Sequence, residues 1–127
     1  MNKKKTRFAH LKNLILQDEA QIFLLGPKKN RTHLKDLMHI ARAHITEISV
    51  PLDALPMLQN HLLDLVVIPL SEKGAEEIHL GHLIKELNSQ DCSILFVGRG
   101  QRKLIRKARL KDVQYMDEDE WSVLTSA

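Results

Sequence analysis

Asp64-Leu65-Val66-Val67-Ile68-Pro69-Leu70-Ser71 is the stretch whose reading decides the fold. Five of the eight residues are aliphatic, and Val66, Val67 and Ile68 are β-branched. An aspartate opens the run, and Pro69, Ser71 and Gly74 close it. A strand buried on both faces of a parallel sheet reads in this way, as a continuous apolar run without alternation. A second run, Gln21-Ile22-Phe23-Leu24-Leu25-Gly26, precedes it, and a third, Ser93-Ile94-Leu95-Phe96-Val97-Gly98, follows it. The intervals between them are each about one helix in length, which points to βαβ units.

Composition sets the limits. A chain of 127 residues is one domain, long enough to bury roughly two-thirds of its unfolded surface. Its apolar fraction, 43%, is slightly low but within the globular range. No apolar run approaches the ~20 residues that span a bilayer. The basic start (Lys3, Lys4, Lys5, Arg7) is followed by an apolar stretch broken at His10, Lys12 and Asn13, so no export signal is expected. The lone Cys92 cannot form an internal disulfide, and a cytoplasmic location is the expectation.

Working outward, Phe8, Leu11, Leu14 and Ile15 give residues 6–17 one apolar helical face. Residues 1–19 are thus expected to form a basic, amphipathic N-terminal helix packed on a domain spanning 20–127. Asn30 or Thr32 caps a helix carrying Leu34, Leu37, Met38 and Ala41. Residues 45–50 read as a short strand near an edge, ended by Pro51. A short helix follows from Asp53 to about Leu63, with Pro56 in its first turn. Further helices are predicted over 75–87 and about 101–110, the latter basic, and strands over 93–97 and 113–116. The tail Trp121-Ser122-Val123-Leu124 has room for one or two helical turns. Five strands alternating with helices and joined by right-handed crossovers give a three-layer α/β sandwich. Its expected sheet is parallel and five-stranded, in the flavodoxin-like order 2-1-3-4-5.

Over residues 20–120 the chain resembles the receiver domain of two-component response regulators. The strand rhythm fits, and Asp64-Leu65-Val66-Val67-Ile68 is similar to the run that leads to that family's phospho-accepting aspartate. The resemblance implies a pair of magnesium-holding acids after strand one, where this chain has Gly26 and Pro27. It implies the acceptor aspartate at Pro69, a Thr or Ser at Gly98, and a Lys at about Asp117. Each position differs in kind from the family's residue. Magnesium takes oxygen ligands in near-octahedral array, and an acyl phosphate cannot form on proline. The strand ends Gly26-Pro27, Pro69 and Gly98-Arg99 describe a corner without an acid. The expectation is therefore a pseudo-receiver: a non-enzymatic regulatory module that binds another protein and needs no cofactor.

Charge supplies the alternative. Between Arg99 and Lys111 stand seven cations and no acid, followed by the acidic knot Asp117-Glu118-Asp119-Glu120. Such segregation suggests a surface that meets a charged partner. Lys28, Lys29 and Arg31 follow strand one, and Arg99, Arg102 and Lys103 follow strand four. In an open α/β sheet these loops share the carboxyl rim, where ligands sit. Six cations gathered there would suit a phosphate, a nucleotide such as a cyclic dinucleotide, a nucleic-acid backbone or an acidic protein loop. Gly26-Pro27-Lys28-Lys29-Asn30-Arg31 is not a P-loop, since the second glycine and the Lys-Ser/Thr pair are missing. Aromatic content of 4% leaves few residues for base stacking. Glu76, His79 and His82 drift round their helix and are too few for a structural metal site. No nucleophile with a fixed base and acid is visible. Cys92, at the start of strand four, reads as a structural thiol.

Overall fold

The computed structural model describes residues 9–26, 34, 42–50, 53, 56–57, 63–87, 92–110 and 113–125. In chain order these form α1 (Ala9–Ile15), β1 (Gln21–Leu25), β2 (His44–Ile48), β3 (Leu65–Pro69), α2 (Ala75–Leu87), β4 (Ser93–Gly98), α3 (Arg102–Ala108), β5 (Val113–Asp117) and α4 (Glu118–Thr125). The strands form one sheet in the order β2-β1-β3-β4-β5, with every neighbouring pair parallel. This is the flavodoxin-like α/β fold expected of five strands alternating with helices, and the one the receiver resemblance implies.

The runs are apolar throughout because both faces of the sheet are covered. Successive side chains alternate between two cores. Ile22, Leu24, Leu65, Val67, Leu95, Val97 and Met116 face one way, against Leu11, Leu14 and Ile15 of α1 and Trp121 of α4. Phe23, Leu25, Val66, Ile68, Ile94, Phe96 and Tyr115 face the other way, against Leu80 and Ile84 of α2 and Ile105 of α3. The helix expected over 6–17 is described from Ala9 to Ile15. It is tied to the edge of the sheet by the amides of Arg42 and Ala43, which donate to the Ile15 carbonyl at 2.8 and 3.1 Å.

Strand β2 lies at the sheet edge and stops at Ile48, two residues short of the expected Val50, because β1 ends opposite it at Leu25. Val50 beyond is 54% exposed. The last helix starts earlier than the tail suggested. Glu118 follows the final strand residue, Asp117, directly, so the acidic knot is the first turn of α4 and not a free turn. Acids there complement the positive end of the helix dipole. The helices expected at 30–41 and 53–63 lie mostly outside the described residues; within them Leu34 is buried, and Pro56 and Met57 are helical. No helix of the described residues is long and apolar enough to cross a membrane.

Candidate functional site at the carboxyl rim

Parallel strands place all their carboxyl ends on one rim. Gly26 follows β1 there, with φ +118°. Pro69 ends β3, Gly98 ends β4 opposite Asp117 of β5. Pro69 is buried and offers the ladder no N–H, which resumes when the Leu70 amide donates to the Val97 carbonyl at 2.7 Å. Above these ends lies an open depression of about 500 Å³, lined on its apolar side by Leu34, Pro69, Leu70 and Val97. Its polar side carries Ser71, Glu72, Arg99, Gln101 and Glu118.

The loop after β3 is fixed from below. The amide and the hydroxyl of Ser71 both donate to Oε1 of Glu77, in the first turns of α2, at 2.6 Å each. The Gly74 amide donates back to the Ser71 hydroxyl at 3.3 Å. Gly74 holds φ +71°, which favours glycine, and a Cβ on it would come within 2.7 Å of the terminal methyl of Leu104 in α3, which would have to shift.

The loop after β4 is tied across to it. The Gln101 side-chain amide donates to the carbonyls of Ser71 (2.9 Å) and Glu72 (3.2 Å), and its oxygen accepts the Arg99 amide at 3.2 Å. A Cβ on Gly98 would lie within clash distance of that same Gln101 oxygen. Gln101 thus roofs the end of β4 and bridges two loops thirty positions apart in sequence.

The same loop is zipped onto β5 and α4. The Gly100 amide donates to Asp117 Oδ1 at 2.8 Å, and the Gln101 amide donates to the Tyr115 hydroxyl at 2.9 Å. That hydroxyl in turn donates to Asp117 Oδ1. Burial, and then the Asp117 acceptor, push the Tyr115 phenol up to about 12. Arg99 Nε meets Glu118 at 2.7 Å, and Arg102 meets Glu120 at 2.8 Å. The Arg102 guanidinium also lies 5.1 Å over the Tyr115 ring. Glu120 is the more enclosed carboxylate, its side chain 12% exposed. One of its oxygens takes both Arg102 and the Asp117 amide (3.1 Å), while the other is buried with no hydrogen-bond partner.

The corner expected to lack acids therefore holds them: Glu72 and Glu118 line the depression and Asp117 stands at its edge. They come from loops and from β5, not from the ends of β1 and β3 where the resemblance directs attention. Of the six cations expected at the rim, Lys28, Lys29 and Arg31 lie outside the described residues. Arg99 and Arg102 are there, each against a carboxylate of the same chain, and Lys103 points outward on α3, exposed. The basic run and the acidic knot meet each other.

Elsewhere, Glu76, His79 and His82 are exposed along α2. Among the described residues no three His, Cys, Asp or Glu side chains come close enough together to hold a metal ion. Cys92 is buried at the opposite end of the sheet from the rim, one residue before β4.

No protein-family model and no curated protein matches the sequence. Among solved structures the chain is similar to a response regulator receiver protein from Sinorhizobium medicae WSM419, with a TM-score of 0.61 and 14% sequence identity. The similarity covers 87% of this chain and 97% of that one. At such identity it carries the fold: a receiver-like five-stranded parallel sheet between helical layers.

Proposed function

We propose that this domain is a pseudo-receiver: a non-enzymatic, cytoplasmic regulatory module that works by binding another protein, on a receiver-like scaffold without phosphoryl chemistry. One observation carries the reading. The end of β3, where a receiver presents its acceptor aspartate, is here a buried proline. The space next to it is cross-braced by Gln101 and the carbonyls of Ser71 and Glu72. Proline offers no oxygen to phosphorylate, and Gly26 offers no ligand side chain for magnesium.

The test is the response to acetyl phosphate, or to beryllofluoride, with Mg²⁺. Amide resonances of residues 24–31 and 67–74 are expected to stay where they are. Magnesium-dependent shifts confined to those segments would sink the reading.

The second reading, phosphate or nucleotide binding at the rim, draws its support from Arg99, whose side chain is 72% exposed at the mouth of the depression. An anion there competes with Glu118 for the guanidinium. Loss of binding on Arg99→Ala with Arg102→Ala, and not on Arg7→Ala with Lys12→Ala, would favour it.

A further inference from the structure

Of the seven cations from Arg99 to Lys111, the six among the described residues divide into two sets by their partners. Arg99 and Arg102 are held by Glu118 and Glu120. Lys103, Arg106, Lys107 and Arg109 are exposed, and none of them has an ion pair among the described residues. Lys103, Arg106 and Lys107 stand at i, i+3 and i+4 of α3, so they share one outward stripe. Arg109, at the helix C-cap with φ 53°, stands four positions after Ile105 and lies outside the stripe. Ile105 anchors the opposite side of the same helix in the core. The stripe is therefore held rigidly.

The geometry points to this outward stripe of α3 as the docking surface for a short acidic segment of a partner protein, its Glu or Asp side chains spaced at i, i+3 and i+4. The inference rests on the reading of the domain as a protein-interaction module. Charge complementarity selects the class of partner, and the surroundings limit its length. Where α2 begins, it touches α3 through Gly74 and Leu104, and it brings the exposed Glu72 and Glu76, offset only by Lys73. On the side of α4 stands the exposed Asp119, beside Glu118 and Glu120, which Arg99 and Arg102 already pair. A continuous polyanion such as duplex nucleic acid would run into these acids, whereas an acidic segment of two or three turns fits within the stripe. Among the described residues base stacking has no platform either, because Phe23, Phe96, Tyr115 and Trp121 are all buried.

The probe is a fluorescein-labelled Ala/Glu helical peptide with Glu at i, i+3 and i+4, titrated with the full chain at low and at physiological salt, beside a short duplex DNA. Binding of the peptide is expected, weaker at the higher salt, with amide shifts centred on residues 103–109. Neutralising three exposed charge pairs through Lys103→Gln, Arg106→Gln and Lys107→Gln should weaken it about tenfold. Arg42→Gln, an exposed cation remote in sequence, and Arg99→Ala should each change it less than about twofold. The triple Gln variant keeps the helix-forming stems; its melting curve, and a milder Arg106→Gln, Lys107→Gln pair, guard against misfolding. Shifts centred elsewhere, equal losses from Arg42→Gln, no peptide binding at low salt, or tighter binding of the DNA than of the peptide would each overturn the assignment. Those failures leave the phospho-inert reading standing. Magnesium-dependent phosphorylation would remove that reading without moving the peptide's footprint.

Discussion

Replacing Gln101 by alanine and by glutamate separates the bridge between the two rim loops from mere occupancy of space. The side chain donates twice, to Ser71 and Glu72 carbonyls, and accepts once, from the Arg99 amide. These bonds are partly solvated, so water replaces some of what is lost. At roughly 0.5–1.5 kcal/mol for each net bond, Gln101→Ala should cost about 1–2 kcal/mol. Gln101→Glu keeps the volume and the acceptor but turns an oxygen lone pair toward two carbonyl oxygens. It should cost about 2–3 kcal/mol at neutral pH, more than the smaller residue. The excess must depend on pH. The fold favours the protonated, donating form of the introduced carboxyl, so its folded pKa lies above the unfolded value of about 4.3. In that window the folded state binds more protons than the unfolded one, and stability falls as pH rises. Urea denaturation of the parent and both variants, at neutral pH and again near the carboxyl pKa, measures this. Alanine as costly as glutamate at neutral pH, or an excess that does not shrink on acidification, refutes the bridge. A cycle with Gly98→Ala adds an independent reading. A methyl there clashes with the Gln101 oxygen and sits 3.1 Å from Leu70 Cδ1. Its cost should therefore drop by more than about 0.5 kcal/mol when Gln101 is already alanine.

The two rim ion pairs should differ in weight. Arg99→Ala breaks an exposed pair and should cost at most about 1 kcal/mol, whereas Arg102→Ala leaves the enclosed Glu120 uncompensated and should cost about 2–3 kcal/mol, partly restored by Glu120→Gln, as chemical denaturation would show. Tyr115 is the only tyrosine, so alkaline titration by phenolate absorbance should give a midpoint near 12 in the folded protein, and Asp117→Asn should lower it. Because the folded pKa is raised above the ordinary value of 10, the stability it contributes is complete below pH 10 and is lost as pH climbs from there toward 12. Leu11→Ala, in α1 at 1% exposure, should cost about 2–5 kcal/mol, while Leu16→Ala just beyond it, at 39% exposure, should cost less than about 0.5 kcal/mol in the same denaturation experiment.

The fold was legible because burial on both faces writes itself into composition. Val66, Val67 and Ile68 have no polar neighbour to spare, and no other setting asks for that along a short strand. The strand order was expected only as the commonest winding of five such strands, since crossover handedness and helix-sized spacers leave the order open. The site was less legible, because its contacts are long-range. Arg102 and Glu120 lie eighteen positions apart, and they meet only because β4 and β5 are neighbours in register, Gly98 beside Asp117. Read along the chain, a basic run before an acidic knot suggests two surfaces; read across the sheet, it is one neutralised seam. A signal was available, since opposite charges that follow adjacent parallel strands fall on the same rim. Ser71 and Glu77 gave a weaker one, a hydroxyl six residues before an acid in the first turns of a helix. Asp64 was legible only as the entry to a strand; it also accepts the Gln21 amide at 2.7 Å, fixing the start of β1 beside β3.

The chain's single thiol gives the protein a clock of its own. Cys92 is 3% exposed at the foot of β4, and the Lys85 ammonium donates to its carbonyl at 3.2 Å, so the end of α2 and the start of β4 are fastened at that point. An alkylating reagent needs the thiolate and room to approach it, and it can find both only in molecules whose lower sheet has momentarily parted. Under conditions where reclosing outpaces alkylation, the labelling rate divided by that of the unfolded chain is an opening equilibrium constant for that end of the domain. It reads the end remote from the rim, so a ligand or substitution acting at the rim slows this clock only if the two ends of the sheet open as one unit.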